Sequence, residues 1–249
     1  MSTNKVYLFG TCLIDNYYPD AGLDTIDLLS LAGYEVIYPD AQTCCGQPPY
    51  NSGYEAQSKQ VAQKTVDLFL DENYPLIVPS ASCTGMIKNH YPALLANTPL
   101  YAEKSIKLAS KTFEFIDFIV DKLPYHRLTN KPKVSVALHE SCSALRETGS
   151  AKSWKTLLSK MPHVTVTLPN YANECCGFGG TFSIKSSAVS LAMTQDKYQN
   201  LISTESQTII SGDCGCLINL SGYAQKHKLP FPHQHIASFA KQQFDADLS

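Results

Sequence analysis

The pattern Cys, Cys-Cys-Gly, Cys occurs twice along this chain at nearly equal spacing, and it constrains the fold more than any other feature. The first copy is Cys12, Cys44-Cys45-Gly46 and Cys83; the second is Cys142, Cys175-Cys176-Gly177, then Cys214 and Cys216. Cys12 and Cys44 are 32 positions apart, and Cys142 and Cys175 are 33 apart. Cys45 precedes Cys83 by 38 positions, while Cys176 precedes Cys214 by 38 and Cys216 by 40. Eight of the nine cysteines therefore form two matched sets, with Cys214 or Cys216 to spare. A repeat built on thiols reads as a duplicated metal-binding half.

A disulfide framework is the ordinary alternative for nine cysteines. The odd count, the chain length, the two Cys-Cys pairs and the absence of a signal-like stretch at the N-terminus all argue against it. Neighbouring Cα atoms lie ~3.8 Å apart, closer than the roughly 4.4 Å at which disulfides usually begin. No segment approaches the ~20 apolar residues of a membrane helix. The simplest compartment is the cytoplasm, where thiols stay reduced. A formal charge of -2 with no long basic run argues against nucleic acid as a partner. With 249 residues, 44% of them hydrophobic, the chain buries a core comfortably.

Both halves read in the same order. In the first, an apolar run at 6–9 leads to Cys12, and a helical pattern through Leu23, Ile26, Leu29 and Leu31 closes at Gly33. A strand at 35–38 feeds the Cys-Cys-Gly turn. A helix at 55–70 and a strand at 76–78 deliver Ser80 and Cys83, and a long helix covers roughly 102–123. In the second half, a strand at 134–138 leads to His139 and Cys142, and a strand at 164–168 feeds the second turn. A helix at 188–201, a strand at 208–211 and the last cysteines follow, with a closing helix from about His235. The polar stretch 125–132 sets the boundary, giving halves 1–128 and 129–249. Alternating strands and helices indicate parallel βαβ units. The expected class is α/β: two similar Rossmann-like parallel-sheet halves related by pseudo-twofold symmetry. Ligands in such sheets sit beyond the carboxyl ends of the strands, so the cysteines would cluster there, between the halves.

Iron–sulfur clusters are held mainly by cysteine thiolates. Two adjacent cysteines fit poorly around one tetrahedral ion, but they suit different irons of one cluster if the chain turns between them. Gly46 and Gly177 allow that turn, because glycine accepts positive φ. Zinc is the alternative, although its usual pair of Cys-x-x-Cys units is absent. Gly177-Phe178-Gly179-Gly180-Thr181 lacks the lysine of a phosphate loop and reads as a tight turn around the site. His139, three residues before Cys142, either binds a metal, donates a proton or hydrogen-bonds a neighbour. His235 caps the last helix or lines the site. His90, His126, His163, His227 and His233 have no ligand spacing and read as surface or turn residues.

Several stretches carry a resemblance: Cys-Cys-Gly-Gln-Pro-x-x-Asn-Ser-Gly-Tyr from Cys44, Cys-Cys-Gly-Phe-Gly-Gly-Thr-Phe-Ser-x-Lys from Cys175, and His139-x-Ser141-Cys142-Ser143-x-x-Arg146. Cys216-Leu217-Ile218-Asn219, Ser221-Gly222 and His235-Ile236-Ala237 match as well. On these the chain resembles the cysteine-rich CCG domain proteins, and within them the lactate utilization protein A family, over almost its whole length. The CCG-domain component of heterodisulfide reductase and the iron–sulfur subunit of glycolate oxidase are related. The resemblance implies an oxidoreductase subunit with one or two [4Fe–4S] clusters, serving the oxidation of L-lactate to pyruvate. It also implies two partners, a ferredoxin-like iron–sulfur subunit and a small companion subunit.

In the heterodisulfide reductase relatives each repeat ends in Cys-x-x-Cys and gives five thiolates to an unusual four-iron cluster. Here Ser80 and Asp213 stand where the first of those cysteines would be. Each half keeps four thiols plus one oxygen candidate, so a conventional cube, a variant cluster and a site occupied in one half only are all open. The resemblance favours Cys216 over Cys214 as the ligand, because Cys216 sits in the family's Cys-x-x-Asn context, and leaves Cys214 as a small buried hydrophobe. The expected ligands are thus Cys12, Cys44, Cys45, Cys83, Cys142, Cys175, Cys176 and Cys216.

No catalytic set of side chains stands out. Arg146, Lys185, Asn51 and Asn219 are candidates to bind a small organic acid, arginine through a bidentate contact with its carboxylate. A zinc- or cluster-binding scaffold without catalysis and a thiol–disulfide reductase are the competing readings. The missing Cys-x-x-Cys pairs weigh against the latter.

Overall fold

In the computed structural model, which describes residues 4–244, eight strands form two four-stranded sheets, each belonging to one half of the chain. The first contains β1 (Asn4–Leu8), β2 (Tyr34–Ile37), β3 (Leu76–Val78) and β4 (Thr112–Glu114), in the spatial order β2-β1-β3-β4. The second contains β5 (Val134–Leu138), β6 (Val164–Thr167), β7 (Thr208–Ser211) and β8 (His233–His235), in the order β6-β5-β7-β8. Every pairing is parallel, with Val6 opposite Val36 in one sheet and Val136 opposite Val166 in the other. The expected α/β class and the doubled arrangement are both present.

Period-two alternation along the strands sorts side chains into separate cores. Val6 and Ile77 point to a central cluster, while Tyr7, Leu76 and Val78 join an outer one. Val136, Leu138 and Ile210 share that same central cluster, and Ala137 and Ile209 face a second outer cluster. The central cluster is filled by four helices, two from each half: Pro19–Leu31, Phe115–Ile119, Ala151–Ser159 and Ile236–Lys241. Leu28, Phe115, Trp154 and Ile236 in it are completely buried.

Contacts between the halves are reciprocal. Ile236–Lys241, the last helix of the second half, packs on Pro19–Leu31 of the first, and Phe115–Ile119 of the first packs on Ala151–Ser159 of the second. Likewise Cys12–Tyr17 meets Cys214–Lys226, and Ala81–Gly85 meets the π-helical turn Ala144–Thr148. Swapping the halves maps each contact onto its counterpart, which is the pseudo-twofold relation.

The structure corrects the helix expected over 102–123. It is two helices, Tyr101–Ser110 and Phe115–Ile119, separated by β4. The apolar spacing of Phe115 and Ile119 is real, but the helix that uses it starts only after Glu114. The Glu114 carboxylate accepts from the Ile116 and Asp117 amides at 2.8 and 3.1 Å and so fixes that start. The matching edge strand β8 was also unforeseen, since His-Gln-His carries no strand pattern. His90 and His233, expected at the surface or in turns, take half-buried positions between the halves. His90 Nδ1 lies 3.3 Å from the Tyr50 hydroxyl, with its Nε2 4.0 Å from Glu147, and His233 Nε2 lies 3.1 Å from the Tyr18 hydroxyl.

Candidate metal centre

Three strands of each sheet deliver thiols from their carboxyl ends. Cys12 opens the helix after β1, with Thr11 as its cap, and Cys83 lies in Ala81–Gly85 after β3. Cys142 follows β5, and Cys214 and Cys216 open the helix after β7. The Cys-Cys-Gly turns follow β2 and β6. Gly46 and Gly177 have φ of 81° and 82°, the left-handed region that glycine enters without strain. A Cβ on Gly177 would also meet the Ser190 carbonyl at 2.5 Å. Each turn folds back so that the glycine amide donates to the first thiol, Gly46 to Cys44 and Gly177 to Cys175, both at 3.4 Å. A serine on the following helix holds each glycine carbonyl, Ser58 at 3.2 Å and Ser190 at 2.8 Å.

Two thiol quartets result. In the first, Cys44 accepts hydrogen bonds from Cys12 and Cys45, and Cys45 Sγ donates to Cys83 Sγ at 3.3 Å. In the second, Cys175 is hydrogen-bonded to Cys142 and Cys176, and Cys176 to Cys216. Each quartet has a buried inner pair, Cys45 with Cys83 and Cys176 with Cys216. Its outer pair, Cys12 with Cys44 or Cys142 with Cys175, is half-buried.

The sulfurs are crowded enough to perturb one another. Hydrogen bonds from Cys12 and Cys45 push the Cys44 thiol down to about 3, so one thiolate concentrates there. Cys12 and Cys45, which give those bonds, are held far above the ordinary thiol range, with burial adding to the effect. In the second quartet Cys142 is raised by its bond to Cys175 and by burial. Cys216 is lowered by its bond from Cys176, but burial and Asp213 outweigh that and carry it upward. A cationic metal centre would favour the thiolate form of such crowded, buried cysteines.

Ser80 and Asp213, the two oxygen candidates, are committed to each other. Ser80 Oγ donates to Asp213 Oδ1 at 2.7 Å, joining the two halves. The same oxygen accepts from the Ser82 hydroxyl and amide at 2.9 and 3.1 Å, and Ser141 Oγ donates to Oδ2. Together these contacts form a buried bridge between the strands' ends. Cys214 is buried, whereas Cys216 adjoins Cys176.

His139 directly follows β5, is 1% exposed, and has no hydrogen-bond partner at either ring nitrogen. Its nearest ring nitrogen and the sulfurs of Cys176 and Cys216 all lie within 4.8 Å of one another. Burial, then the nearby Lys197, pushes its pKa down to about 3. His235 caps the closing helix by accepting the Ala237 amide at 3.2 Å, the first of its two expected roles.

The four expected substrate contacts fall in different places. Asn219 is turned inward, its amide donating to the Cys176 carbonyl at 2.9 Å and to Thr194 at 2.8 Å. Arg146 is exposed and donates to the Asn173 carbonyl at 3.3 Å. Lys185 is exposed, 5.8 Å above the Tyr54 ring. Asn51 ends the helix Gln47–Asn51 on the surface. Beside it Ser52 Oγ meets Thr181 Oγ1 at 2.8 Å, so the two Cys-Cys-Gly loops touch across the halves. Lys197 was missed from the sequence: it is completely buried and donates to the Tyr171 and Ala172 carbonyls at 3.0 Å each. Nothing in the local sequence marks it, because an isolated lysine in a helix normally reads as surface.

Fold and site together define a duplicated cysteine-rich α/β protein with one thiol quartet per half. The sequence profile of the CCG cysteine-rich domain family matches residues 6–88 and 136–221. Lactate utilization protein A of Halalkalibacterium halodurans is 39% identical over 240 residues, covering 96% of this chain and 97% of that protein. The protein of the same name from Bacillus pumilus is 39% identical over 233 residues, covering 94% and 97%. The chain therefore belongs to the lactate utilization protein A family of CCG-domain proteins. A hypothetical protein from Helicobacter pylori shares the fold, with a TM-score of 0.69 at 11% identity over 96% of this chain. This chain spans 49% of that one.

Proposed function

We propose that the chain is the iron–sulfur subunit of an oxidoreductase that converts L-lactate to pyruvate. The observation that carries the reading is the pair of four-thiol sites, one at the carboxyl edge of each parallel sheet. Cys12, Cys44, Cys45 and Cys83 hold one cluster, and Cys142, Cys175, Cys176 and Cys216 hold the other, within halves 1–128 and 129–249. The donor set fits such a group: thiolates suit iron–sulfur clusters, and glycine turns let the backbone approach a bulky centre. Bound clusters, of the [4Fe–4S] type by family, supply one-electron transfer.

The oxidation releases two electrons and two protons from lactate, and the electrons pass to a ferredoxin-like iron–sulfur partner. A small companion subunit completes the complex. The half-buried outer thiols leave each centre near the surface, where a partner's cluster can approach. Exposed Arg146 and Lys185 are the cationic side chains offered to an organic acid, whereas Asn219 braces the second turn. The names of the relatives support lactate as the substrate. The described residues contain no helix long and apolar enough to cross a membrane, and the cytoplasm, where thiols stay reduced, suits the free cysteines.

The test is iron, zinc and acid-labile sulfide per chain on protein purified without oxygen, followed by lactate-dependent reduction with and without the partner subunits. Iron with matching sulfide, and reduction that needs the partners, is the expected result. Zinc without sulfide would overturn it.

A further inference from the structure

The two quartets share a frame, yet only the second has an imidazole against its inner thiols. Counting from the ends of β1 and β5, Phe9 occupies in the first half the place His139 occupies in the second. Phe9 is completely buried in the apolar cluster that also contains Cys45 and Cys83. A phenyl ring is at home there. An imidazole is not: both of its nitrogens are buried without a partner, and leaving a buried polar atom unpaired is costly.

Neighbouring polar groups do not relieve the cost. The Lys197 ammonium is committed to the Tyr171 and Ala172 carbonyls, and the Asp213 carboxylate to Ser80, Ser82 and Ser141. A ring nitrogen that does not carry the proton offers a free lone pair, and no neighbouring donor occupies it. That nitrogen and the Cys176 and Cys216 sulfurs lie within 4.8 Å of one another, close enough for all three to face one metal centre.

We propose that His139 is a nitrogen ligand of the metal centre in the second half, binding beside Cys176 and Cys216. The proposal rests on the cluster reading above and makes the two centres chemically unlike. The first is held by thiolates alone, and the second by thiolates and one neutral imidazole. A neutral donor leaves the cluster less negative, and histidine ligation of this kind raises the reduction potential.

Pulsed electron paramagnetic resonance on the anaerobically purified whole chain, with ordinary and 15N-labelled histidine, tests this. Expected is a strongly coupled nitrogen that changes on histidine labelling and vanishes in His139→Phe, with one midpoint potential shifted and the other unchanged. His139→Gln, of similar size and polar, guards against a folding defect, and the labelling needs no variant. Iron and sulfide with no histidine coupling, or only the weak coupling of an N–H···S hydrogen bond, overturns this proposal alone. A chain without iron and sulfide overturns the cluster reading as well.

Discussion

Phe9 in the first half and His139 in the second stand at one position of a repeated frame, and the differences continue outward from them. The carbonyl of the second cysteine in each turn is held by the Tyr91 hydroxyl at 2.8 Å in the first half and by Asn219 and Thr194 in the second. Thr65 bonds within its own helix, while the equivalent Lys197 reaches back to the loop before Cys175. Glu114 caps one inner helix and His235 the other. What was kept is the path of the backbone and the positions of the sulfurs. What diverged is the polarity of the shell around them. The thiol frame and its surroundings are thus separable parts of the design, and one can be altered while the other is held.

The largest expected effect breaks the pair itself. Cys45→Ser should remove about half of the bound iron, and Cys176→Ser the other half, while Cys214→Ser leaves the iron unchanged. Metal analysis of the three variants checks this, and equal loss in all of them would sink the ligand assignment. Next, Asp213→Ala strips four hydrogen-bond donors of their shared acceptor in the bridge between the halves. It should cost about 3–5 kcal/mol, read as a lower urea midpoint.

A third experiment compares the caps. Burial holds His235 down to about 4 from its ordinary 6.5, with the nearby Asp213 acting weakly against it. Below pH 6.5 the unfolded chain takes a proton that the folded one refuses, so stability falls as the pH drops through that window. The loss is at most about 3 kcal/mol by pH 4, and His235→Asn, which keeps an acceptor for the cap, should flatten it. Burial, then the charge of Asp117, pushes Glu114 the opposite way, well above the usual carboxyl range. Its contribution is present at acid pH and lost as the pH rises above about 4.5, and Glu114→Gln should remove that trend. Urea midpoints from pH 4 to 8 separate the two. The smallest effect is Tyr91→Phe, which deletes one buried hydrogen bond to the first turn and should cost about 1 kcal/mol.

The repeat of Cys12, Cys44-Cys45 and Cys83 was enough to read the doubled α/β frame, because thiol spacing and alternating strands repeat together. The edge strands escaped because Thr112–Glu114 and His233–His235 are three residues long and gain their pairing from β3 and β7, which no local pattern records. The hydrogen bond between Ser80 and Asp213 was not legible, because the two lie 133 residues apart, a contact that no single half contains. His139 was visible as a candidate, but that it lacks a partner depends on burial by the whole fold.

The crossing of the inner helices has a consequence for ancestry. Phe115–Ile119 and Ile236–Lys241 each bury their apolar side against a helix of the other half. A chain carrying only one half would leave Leu28, Leu29 and Phe115 facing water. A founding single-half protein would have needed a second identical copy, and so two identical sites. In one chain the two sites are encoded separately, so matching positions can hold different residues, as Phe9 and His139 do.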